Sequence, residues 1–171
     1  MQSYPDMANS GGTPRPASAA FLLAQVGSHA AHKFAERLAR LRLLPPHAGI
    51  LGILRKTGGM SQQALAEVLQ MHPSGLVAII DELEERGLVR RQDSREDRRT
   101  YELHLTDKGQ VALRDVARIA QEHNDSLCAV LSQHEREQLT DFLQRIANQQ
   151  GLTPGVHPGF SRLGRRQKRP W

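Results

Sequence analysis

Apolar residues recur at helical spacing along most of this chain. In residues 19–43 they fall every three or four positions and form one stripe, made up of Leu22, Val26, Ala30, Phe34, Leu38 and Leu41. This periodicity predicts a helix of about six turns. Pro45 and Pro46 follow and suit the first positions of a second helix, which Gly58 and Gly59 would end.

A pair of short helices with a brief break between them is predicted next. Ser61 is a suitable N-cap for the first, whose inner face is Ala64, Leu65, Val68 and Leu69. Pro73 suits the first position of the second helix, which would stop at Gly87. Its apolar face is Leu76, Ile79, Ile80 and Leu83. Two short helices joined in this way form a helix-turn-helix.

The next pattern has the alternation that is typical of strands. Residues 88–91 predict a short strand and residues 92–99 a charged loop. In residues 101–105, Tyr101, Leu103 and Leu105 alternate with polar side chains, which predicts the returning strand of a hairpin. A helix-turn-helix that runs directly into a two-stranded hairpin is a winged helix, and the charged loop is then the wing.

Two more helices are predicted after the hairpin. Thr106 is an N-cap for the first, and Ser132 forms an S-x-x-E capping box with Glu135 for the second. Their apolar positions are Val116, Ala120, Leu127 and Leu131, and then Leu139, Phe142, Leu143 and Ile146. The predicted fold is therefore mainly α with a small β-hairpin (α+β), in which long N- and C-terminal helices flank a winged helix-turn-helix lobe.

Length and charge refine this picture. The 171 residues correspond to one domain. Residues 1–18 and 151–171 are rich in Gly, Pro and polar residues and read as a disordered leader and trailer. The net charge is +5, and the last ten residues hold five basic side chains and no acidic one, so the excess belongs to the tail. Such a tail is either solvated or a weak, sequence-independent contact for phosphates.

Several classes of protein are disfavoured. No apolar run approaches the roughly 18 residues of a membrane span, and the N-terminus does not resemble a secretory signal. The one cysteine, Cys128, cannot form an internal disulfide and reads as a buried structural thiol. No phosphate-binding glycine loop or nucleophile elbow is present. We therefore expect a cytoplasmic protein that is not an enzyme and needs no cofactor.

The wing carries a dense mixture of charges of both signs. Six of the seven residues in 93–99 are charged. Arginine suits phosphates and the narrow minor groove, where the negative potential is enhanced. Interleaved carboxylates can hold guanidinium groups in fixed directions. We therefore expect Asp93 and Asp97 to orient Arg95, Arg98 and Arg99, unless the loop is only a solvated turn.

These motifs together resemble the MarR family of bacterial transcription regulators. The wing matches the D-x-R-x-D-x-R pattern of that family as Asp93, Arg95, Asp97 and Arg99. The join "DELEERGLV" and the "LT" of Leu105 and Thr106 match as well. The similarity covers residues 20–148 or so.

The resemblance implies a MarR-type domain over 19–150. Its dimerisation helices would be about 19–43 and 107–149, and its DNA-binding lobe about 47–106. It further implies a homodimer whose two lobes meet successive major grooves of a pseudo-palindromic operator. In that family DNA is commonly released when a small aromatic or anionic ligand binds, so a repressor is expected. From the residues alone, the apolar stripes of the terminal helices fit either a dimer interface or an intramolecular bundle.

The second helix of the helix-turn-helix has an unusual outward face. Ser74, Gly75, Val77 and Ala78 are the predicted groove contacts. They are small and mostly apolar, so they suit thymine methyl groups and shift specificity toward the wing and DNA shape. Gln62 and Gln63, at the start of the preceding helix, are predicted phosphate donors.

Candidate residues for an effector lie in the first two helices. His29, Lys33 and Arg37 share one side of the first helix and His47 opens the second. They could receive a carboxylate or phenolate, or form only surface and interface hydrogen bonds. A metal site is not expected, because His29 and His32 lack further ligands at suitable spacing. The alternative function is a winged-helix protein-interaction module without specific DNA binding.

Overall fold

The computed structural model describes residues 18–94 and 100–162. Six α-helices and a small antiparallel sheet make up this part of the chain. The helices are α1 (Ala19–Ala39), α2 (Pro45–Thr57), α3 (Gln62–Leu69), α4 (Pro73–Glu85), α5 (Asp107–Leu127) and α6 (Gln133–Gln149). The strands are β1 (Met60–Ser61), β2 (Val89–Asp93) and β3 (Tyr101–Leu105), and a 3-10 helix covers Pro158–Arg162. The predicted order of helices and hairpin is confirmed.

The helix ends follow the capping chemistry that the sequence indicated. The hydroxyl oxygen of Ser61 accepts a hydrogen bond from the backbone N–H of Ala64, and Thr106 does the same for Gly109. Ser132 and Glu135 form the predicted capping box. Each contact satisfies a backbone donor that the first turn of a helix leaves free.

Two boundaries differ from the sequence prediction. The first helix ends at Ala39 instead of continuing to residue 43, because Arg42 adopts a left-handed conformation with φ 54°. The sheet has three strands, in the order β1-β3-β2, instead of a hairpin alone. The extra strand pairs Met60 with Leu103 and Ser61 with Glu102. A strand of two residues has no alternation of its own, so only its partner reveals it.

The core lies in the winged lobe, where α2, α3 and α4 pack together with the sheet and with α5. Its fully buried side chains include Ile50, Leu51, Leu54, Leu65, Leu69, Leu76, Ile80, Leu83 and Leu103. These match the predicted inner faces, apart from Val68, which is exposed because Ala66 takes the inward position beside Leu65. The lobe is therefore held by its own apolar faces.

The long helices outside the lobe are less well covered. Helix α6 contains no buried residue, and Leu38 is the single buried residue of α1. The exposed apolar side chains at this end of the molecule are Phe21, Leu22, Leu23, Val26, Leu127, Val130, Leu139, Phe142, Leu143 and Ile146. The stripes that the sequence predicted are therefore present, but within the described residues no partner is sufficient to bury them.

The join between α4 and α5 is closely packed. The Thr106 hydroxyl donates to the Gly87 carbonyl at 2.6 Å, and Lys108 Nζ donates to the Arg86 carbonyl at 2.7 Å. Gly109 lies against the Leu88 carbonyl so closely that a Cβ on it would clash with that oxygen. The "LTDKG" segment thus ties the start of α5 to the end of α4, and it needs a glycine where the backbones meet.

A C-terminal strap, residues 151–162, folds back onto the winged lobe. Phe160 is 5% exposed and belongs to the core, with Val156 packed beside it. The Phe160 ring lies directly on Gly49 of α2, and Gln70 Nε2 donates to Thr153 Oγ1 at 3.1 Å. This differs from the disordered trailer expected from residue 151. The physical reason is that Val156 and Phe160, two apolar residues in a polar stretch, pack on the core, where Gly49 has no side chain to exclude the Phe160 ring. None of the described helices is long and apolar enough to cross a membrane.

Candidate nucleic-acid interface

The outward face of α4 is an exposed strip of mostly small residues. Ser74, Val77 and Ala78 are exposed and Gly75 is half-buried, as the sequence predicted. Asp81 continues the same strip one turn further along, at the helical spacing of three or four. The strip therefore begins with small groups that can approach base edges closely and ends with a carboxylate.

A histidine that the sequence reasoning did not select begins this strip. His72 is the N-cap of α4, and its Nδ1 lies 2.7 Å from Ser74 Oγ and accepts from the Ser74 backbone N–H. With Nδ1 as acceptor, the neutral ring carries its proton on Nε2. The Ser74 hydroxyl then donates to His72 and keeps its lone pairs as outward acceptors. The residue type gave no signal, since histidine is not among the usual N-cap residues. The available signal was its position immediately before Pro73, the first residue of the helix.

Two acidic residues of α4 are ion-paired from the neighbouring strand. Arg91 on β2 donates to Asp81 Oδ1 at 2.6 Å and forms a second ion pair with Glu84. The Glu84 carboxylate also accepts the backbone N–H of Arg91 at 3.1 Å. The hydrogen bond to Asp81, followed by the charge of Glu84, raises the pKa of Arg91. One arginine therefore fixes the base of the wing to α4 and pairs with two of its carboxylates, so that the cluster of three groups carries one net negative charge instead of two.

Gln62 joins the same network, at the start of α3. Its side-chain oxygen accepts weakly from Arg91 at 3.5 Å, so its amide nitrogen remains directed elsewhere and could donate to a phosphate. Gln63 is occupied by Glu67, to which its amide donates at 3.3 Å. Of the two predicted phosphate donors, Gln62 is the better placed.

The wing is described only at its base. Asp93 pairs with Tyr101 at the end of the β2–β3 ladder, and Ser94 donates its backbone N–H to the Thr100 carbonyl at 2.9 Å. Arg95, Asp97, Arg98 and Arg99 lie outside the described residues. The predicted orienting role of Asp93 and Asp97 therefore stays a prediction.

The predicted effector residues of α1 have different surroundings. Lys33 is held by Glu36 at 2.9 Å, and this hydrogen bond lowers the pKa of Glu36. His29 and Arg37 remain on the side of α1 that faces α5. Their charges act on His123, a residue that the sequence reasoning missed, whose ring packs against Phe34 at a centroid distance of 5.5 Å. Burial, and then the charges of Arg37 and His29, lower the pKa of His123.

The sequence suggested His47 as an open ligand residue, and this is wrong, because the residue is only 1% exposed. Its Nδ1 accepts the backbone N–H of Leu44 at 3.2 Å, and its Nε2 lies 3.4 Å from a carboxylate oxygen of Glu82 on α4. Glu82 also contacts Arg86, whose guanidinium donates to the carbonyls of Leu41 and Arg42. His47 therefore caps α2 and connects it to α4.

The stability of the domain should fall in mild acid because of this histidine. Burial lowers the pKa of His47 below its ordinary 6.5, although Glu82 opposes the shift. Below about pH 6.5 the unfolded chain then binds a proton that the folded chain does not. The contribution of neutral His47 to the free energy of unfolding is therefore fully present above about pH 6.5 and is lost as the pH falls below it. The slope for one such group is at most about 1.4 kcal/mol per pH unit. Urea unfolding between about pH 7.5 and 5.5 measures it.

The matched variant is His47→Gln, since glutamine at this third helical position can still accept the Leu44 N–H. It should flatten the decline, leaving the share of His123, whose pKa is lowered in the same direction. His134→Gln, on the exposed surface of α6, should retain the full decline. Equal slopes for His47→Gln and the parent protein would contradict the assignment.

No group of three potential metal ligands lies together within 18–94 and 100–162. His32, the second histidine of the H-x-x-H pair, lies 3.1 Å from Glu36 instead. Cys128, at the C-terminal end of α5, was predicted to be buried, but it is only half-buried.

Comparison with known proteins places this geometry in a family. Residues 43–100 match the model of the MarR family. A putative transcriptional regulatory protein for the hcr operon of Thauera aromatica is 36% identical over 106 residues, which span 62% of this chain and 64% of that protein. The match thus covers somewhat less than two thirds of that relative.

Solved structures agree over more of the chain. The transcriptional repressor CouR, bound to a 23-mer DNA duplex, is 31% identical with a TM-score of 0.68, covering 76% of this chain and 92% of CouR. The apo form of MarR from E. coli has a TM-score of 0.69 at 20% identity, covering 77% of this chain and 98% of MarR, and so shows the fold. Members of this family are transcriptional regulators and not enzymes. The chain therefore belongs to the MarR family of winged helix-turn-helix regulators.

Proposed function

We propose that this protein is a sequence-specific DNA-binding transcription regulator that works as a homodimer, most simply as a repressor. The observation that carries the proposal is the exposed strip of α4, whose acidic end is ion-paired with Arg91 from the base of the wing. Negative charge on a helix that enters the major groove opposes the DNA phosphates. Arg91 reduces this charge by one and holds the two carboxylates that it pairs with.

The contacts that we propose divide into two kinds. Ser74, Gly75, Val77 and Ala78 would meet base edges, with the methyl groups of Val77 and Ala78 against thymine. Gln62 would donate to a phosphate. Arg95, Arg98 and Arg99 would extend from the wing toward the adjacent minor groove, oriented by Asp93 and Asp97. The small side chains on α4 suggest that much of the specificity comes from the wing and from DNA shape.

The dimer is supported by the exposed apolar side chains of α1 and α6. Val26 is 50% exposed, Phe142 53% and Ile146 43%, and residues 18–94 and 100–162 do not cover any of them fully. Large contiguous apolar surfaces of this kind mark interfaces between proteins. Residues 19–43 and 107–149 would therefore form the dimerisation part, and residues 47–106 the DNA-binding lobe. A pseudo-palindromic operator follows from the two-fold symmetry.

Release by a small anionic or aromatic effector is the remaining part of the proposal. His29, Arg37 and His123 bring basic groups together between α1 and α5, next to the Phe34 ring. This combination would suit an aromatic carboxylate better than the four residues that the sequence suggested. Such a regulator would act in the bacterial cytoplasm, where its DNA lies.

The test is fluorescence anisotropy with the DNA upstream of the gene for this protein. At about 150 mM salt, we expect roughly thousandfold or greater preference over a scrambled duplex, near the low end for specific binders. Two chains should bind each duplex, as determined by sedimentation. Arg98→Ala with Arg99→Ala should remove the preference and leave the dimer intact, because both lie in the charged wing sequence.

Equal and weak binding to both duplexes would contradict the proposal. The winged-helix protein-interaction module would then be the better interpretation, with the wing recognising an acidic partner protein.

A further inference from the structure

The C-terminal strap connects the end of α6 to the turn of the helix-turn-helix. Helix α6 ends at Gln149, and the backbone N–H of Leu152 donates to the Ala147 carbonyl at 3.0 Å, which closes the last turn. The next residue, Thr153, accepts a hydrogen bond on Oγ1 from Gln70 Nε2 at 3.1 Å. Gln70 is the C-cap of α3 and has a left-handed backbone. The strap therefore meets the lobe at the turn between α3 and α4.

The strap is a folded segment with a defined length. The backbone N–H of Val156 donates to the Thr153 carbonyl at 3.1 Å, and that of Phe160 donates to the His157 carbonyl at 3.0 Å. His157 Nδ1 accepts the backbone N–H of Gly159 at 3.0 Å, and its ring lies 6.1 Å from that of Phe160. Because these hydrogen bonds close successive turns, they fix the distance between the two ends of the strap.

The second end of the strap is anchored in the core of the lobe. Phe160 is buried, and Val156 packs against the same core. A Cβ on Gly49 of α2 would lie 2.7 Å from Cζ and 2.9 Å from Cε2 of the Phe160 ring. Glycine disfavours a helix interior, and the contact with the ring gives a physical reason for glycine at this position. Phe160 therefore fixes the strap to α2, as Thr153 fixes it to the turn before α4.

Helix α4 is held at both ends by segments that lead to the proposed dimerisation part, residues 107–149. At its C-terminal end, Lys108 Nζ donates to the carbonyl of Arg86, the C-cap of α4, at 2.7 Å. At its N-terminal end, the strap contacts Gln70, two residues before the N-cap His72. A helix that is fixed at one end can pivot about it, whereas contacts at both ends set its direction. The strap supplies the contact at the N-terminal end.

We propose that Thr153 and Phe160 are positioning residues, which set the distance between the two α4 helices of the dimer and hence the half-site spacing that the protein accepts. This inference rests on the proposed function, both for the dimer and for the place of α6 in its interface. The α4 helices of a two-fold dimer must lie about 34–36 Å apart to meet successive major grooves. Neither residue belongs to the α4 strip, so both act through the position of α4.

Release of the strap would widen the range of distances between the lobes without changing any group of the strip. Phe160→Ala removes the ring from α2, and the strap loses its anchor there. Thr153→Val removes the oxygen that accepts from Gln70 and keeps the shape of the side chain, whereas Thr153→Ser keeps the oxygen. A lobe that samples more positions fits wrong spacings better and binds the right spacing less tightly, because ordering the lobe costs entropy.

The first test varies the spacing of the DNA. The probes are the upstream duplex and derivatives with one or two base pairs inserted or removed at the centre of its pseudo-palindrome, titrated with the full chain by fluorescence anisotropy. For the parent, each base pair should cost roughly tenfold in affinity, since it rotates one half-site by about 35° and shifts it by about 3.4 Å. Phe160→Ala should bind the original spacing about threefold to tenfold more weakly and should reduce the penalty per base pair to about threefold or less.

Matched variants separate positioning from damage to the fold. Thr153→Val should reduce the spacing penalty in the same direction as Phe160→Ala, and Thr153→Ser should keep the penalty of the parent. Gly49→Ala, which displaces the ring from the α2 side, should act like Phe160→Ala. Gly52→Ala should act like the parent, because a Cβ there meets nothing within 4 Å. Thermal unfolding establishes that each variant is folded. A loss of affinity by the same factor at every spacing would overturn the proposal, because a merely less stable lobe gives that result.

The second test needs no operator. A spin label on Val68→Cys, in a Cys128→Ser background, reports the distance between the two lobes of the dimer by double electron–electron resonance. Val68 is exposed near the end of α3. The parent should give a narrow distribution of distances and Phe160→Ala a broad one. Equally narrow distributions, or a chain that does not dimerise, would overturn the proposal. Distributions that differ as expected, in a protein without preference for the upstream duplex, would support the positioning role and count against the proposed sequence specificity alone.

Discussion

Replacing Arg91 by alanine is expected to reduce DNA affinity about 100-fold, which corresponds to about 2.7 kcal/mol. The side chain bridges Asp81 and Glu84 of α4, so its removal leaves two carboxylates uncompensated on the helix that would enter the groove. Both would then oppose the phosphates, and the base of the wing would lose its fixed position relative to α4. Anisotropy with the upstream duplex at about 150 mM salt measures the loss.

Arg90→Ala is the matched control. Arg90 precedes Arg91 on the same strand, so its side chain points to the opposite face of the sheet, and it is exposed. The two variants lose the same formal charge. We expect Arg90→Ala to change affinity less than about threefold, since single surface charges contribute modestly.

A rescue separates the charge argument from simple damage to the wing. Adding Asp81→Asn and Glu84→Gln to Arg91→Ala removes the uncompensated carboxylates and should restore at least about tenfold in affinity. Thermal unfolding should show each variant folded at the temperature of measurement. Parent-like affinity in Arg91→Ala would show that α4 does not need this neutralisation, and the proposed groove contact would be wrong.

Gly109→Ala should destabilise the domain by about 3 kcal/mol or more, at the upper end for an overpacked site. The added methyl group would meet the Leu88 carbonyl and lie 3.2 Å from Cδ2 of Leu105. Backbone atoms on both sides of the join would have to separate. The Thr106 contact to Gly87, at 2.6 Å, would then be strained as well.

Differential scanning calorimetry measures this effect, and a Tm lower by about 6 to 12 °C is expected for a chain of this size. Gly52→Ala is the control, since a Cβ on Gly52 in α2 meets nothing within 4 Å. It should stabilise the protein by about 0.5–1 kcal/mol through helix propensity. A Gly109→Ala protein as stable as the parent would contradict the close approach of α5 to Leu88.

Local sequence signals were sufficient to predict the helices, their caps and the hairpin. These features depend on contacts within a few residues, as in Ser61 with Ala64, Thr106 with Gly109 and Ser132 with Glu135. Hydrophobic periodicity is equally local, so the inner faces of α3 and α4 were predicted almost completely. The wing motif and the join before α5 then indicated the family.

Which polar groups meet depends on the packing of distant elements. Arg91 meets Asp81 from ten residues away, and His47 meets Glu82 from a different helix. The sequence allowed several partners for each of these charges, and it suggested His47 as an open ligand group. Only the packing of α2 against α4 buries this ring and turns it into a link between helices.

The same reason explains the strand β1, the apolar stripes and the strap. Met60 becomes a strand residue because Leu103 lies beside it, and the Phe160 ring is buried because Gly49 leaves space on α2. A stripe on α1 or α6 has the same periodicity whether it covers a core or a second subunit. Local patterns specify what a segment can form, whereas burial and charge pairing depend on which distant surface it meets.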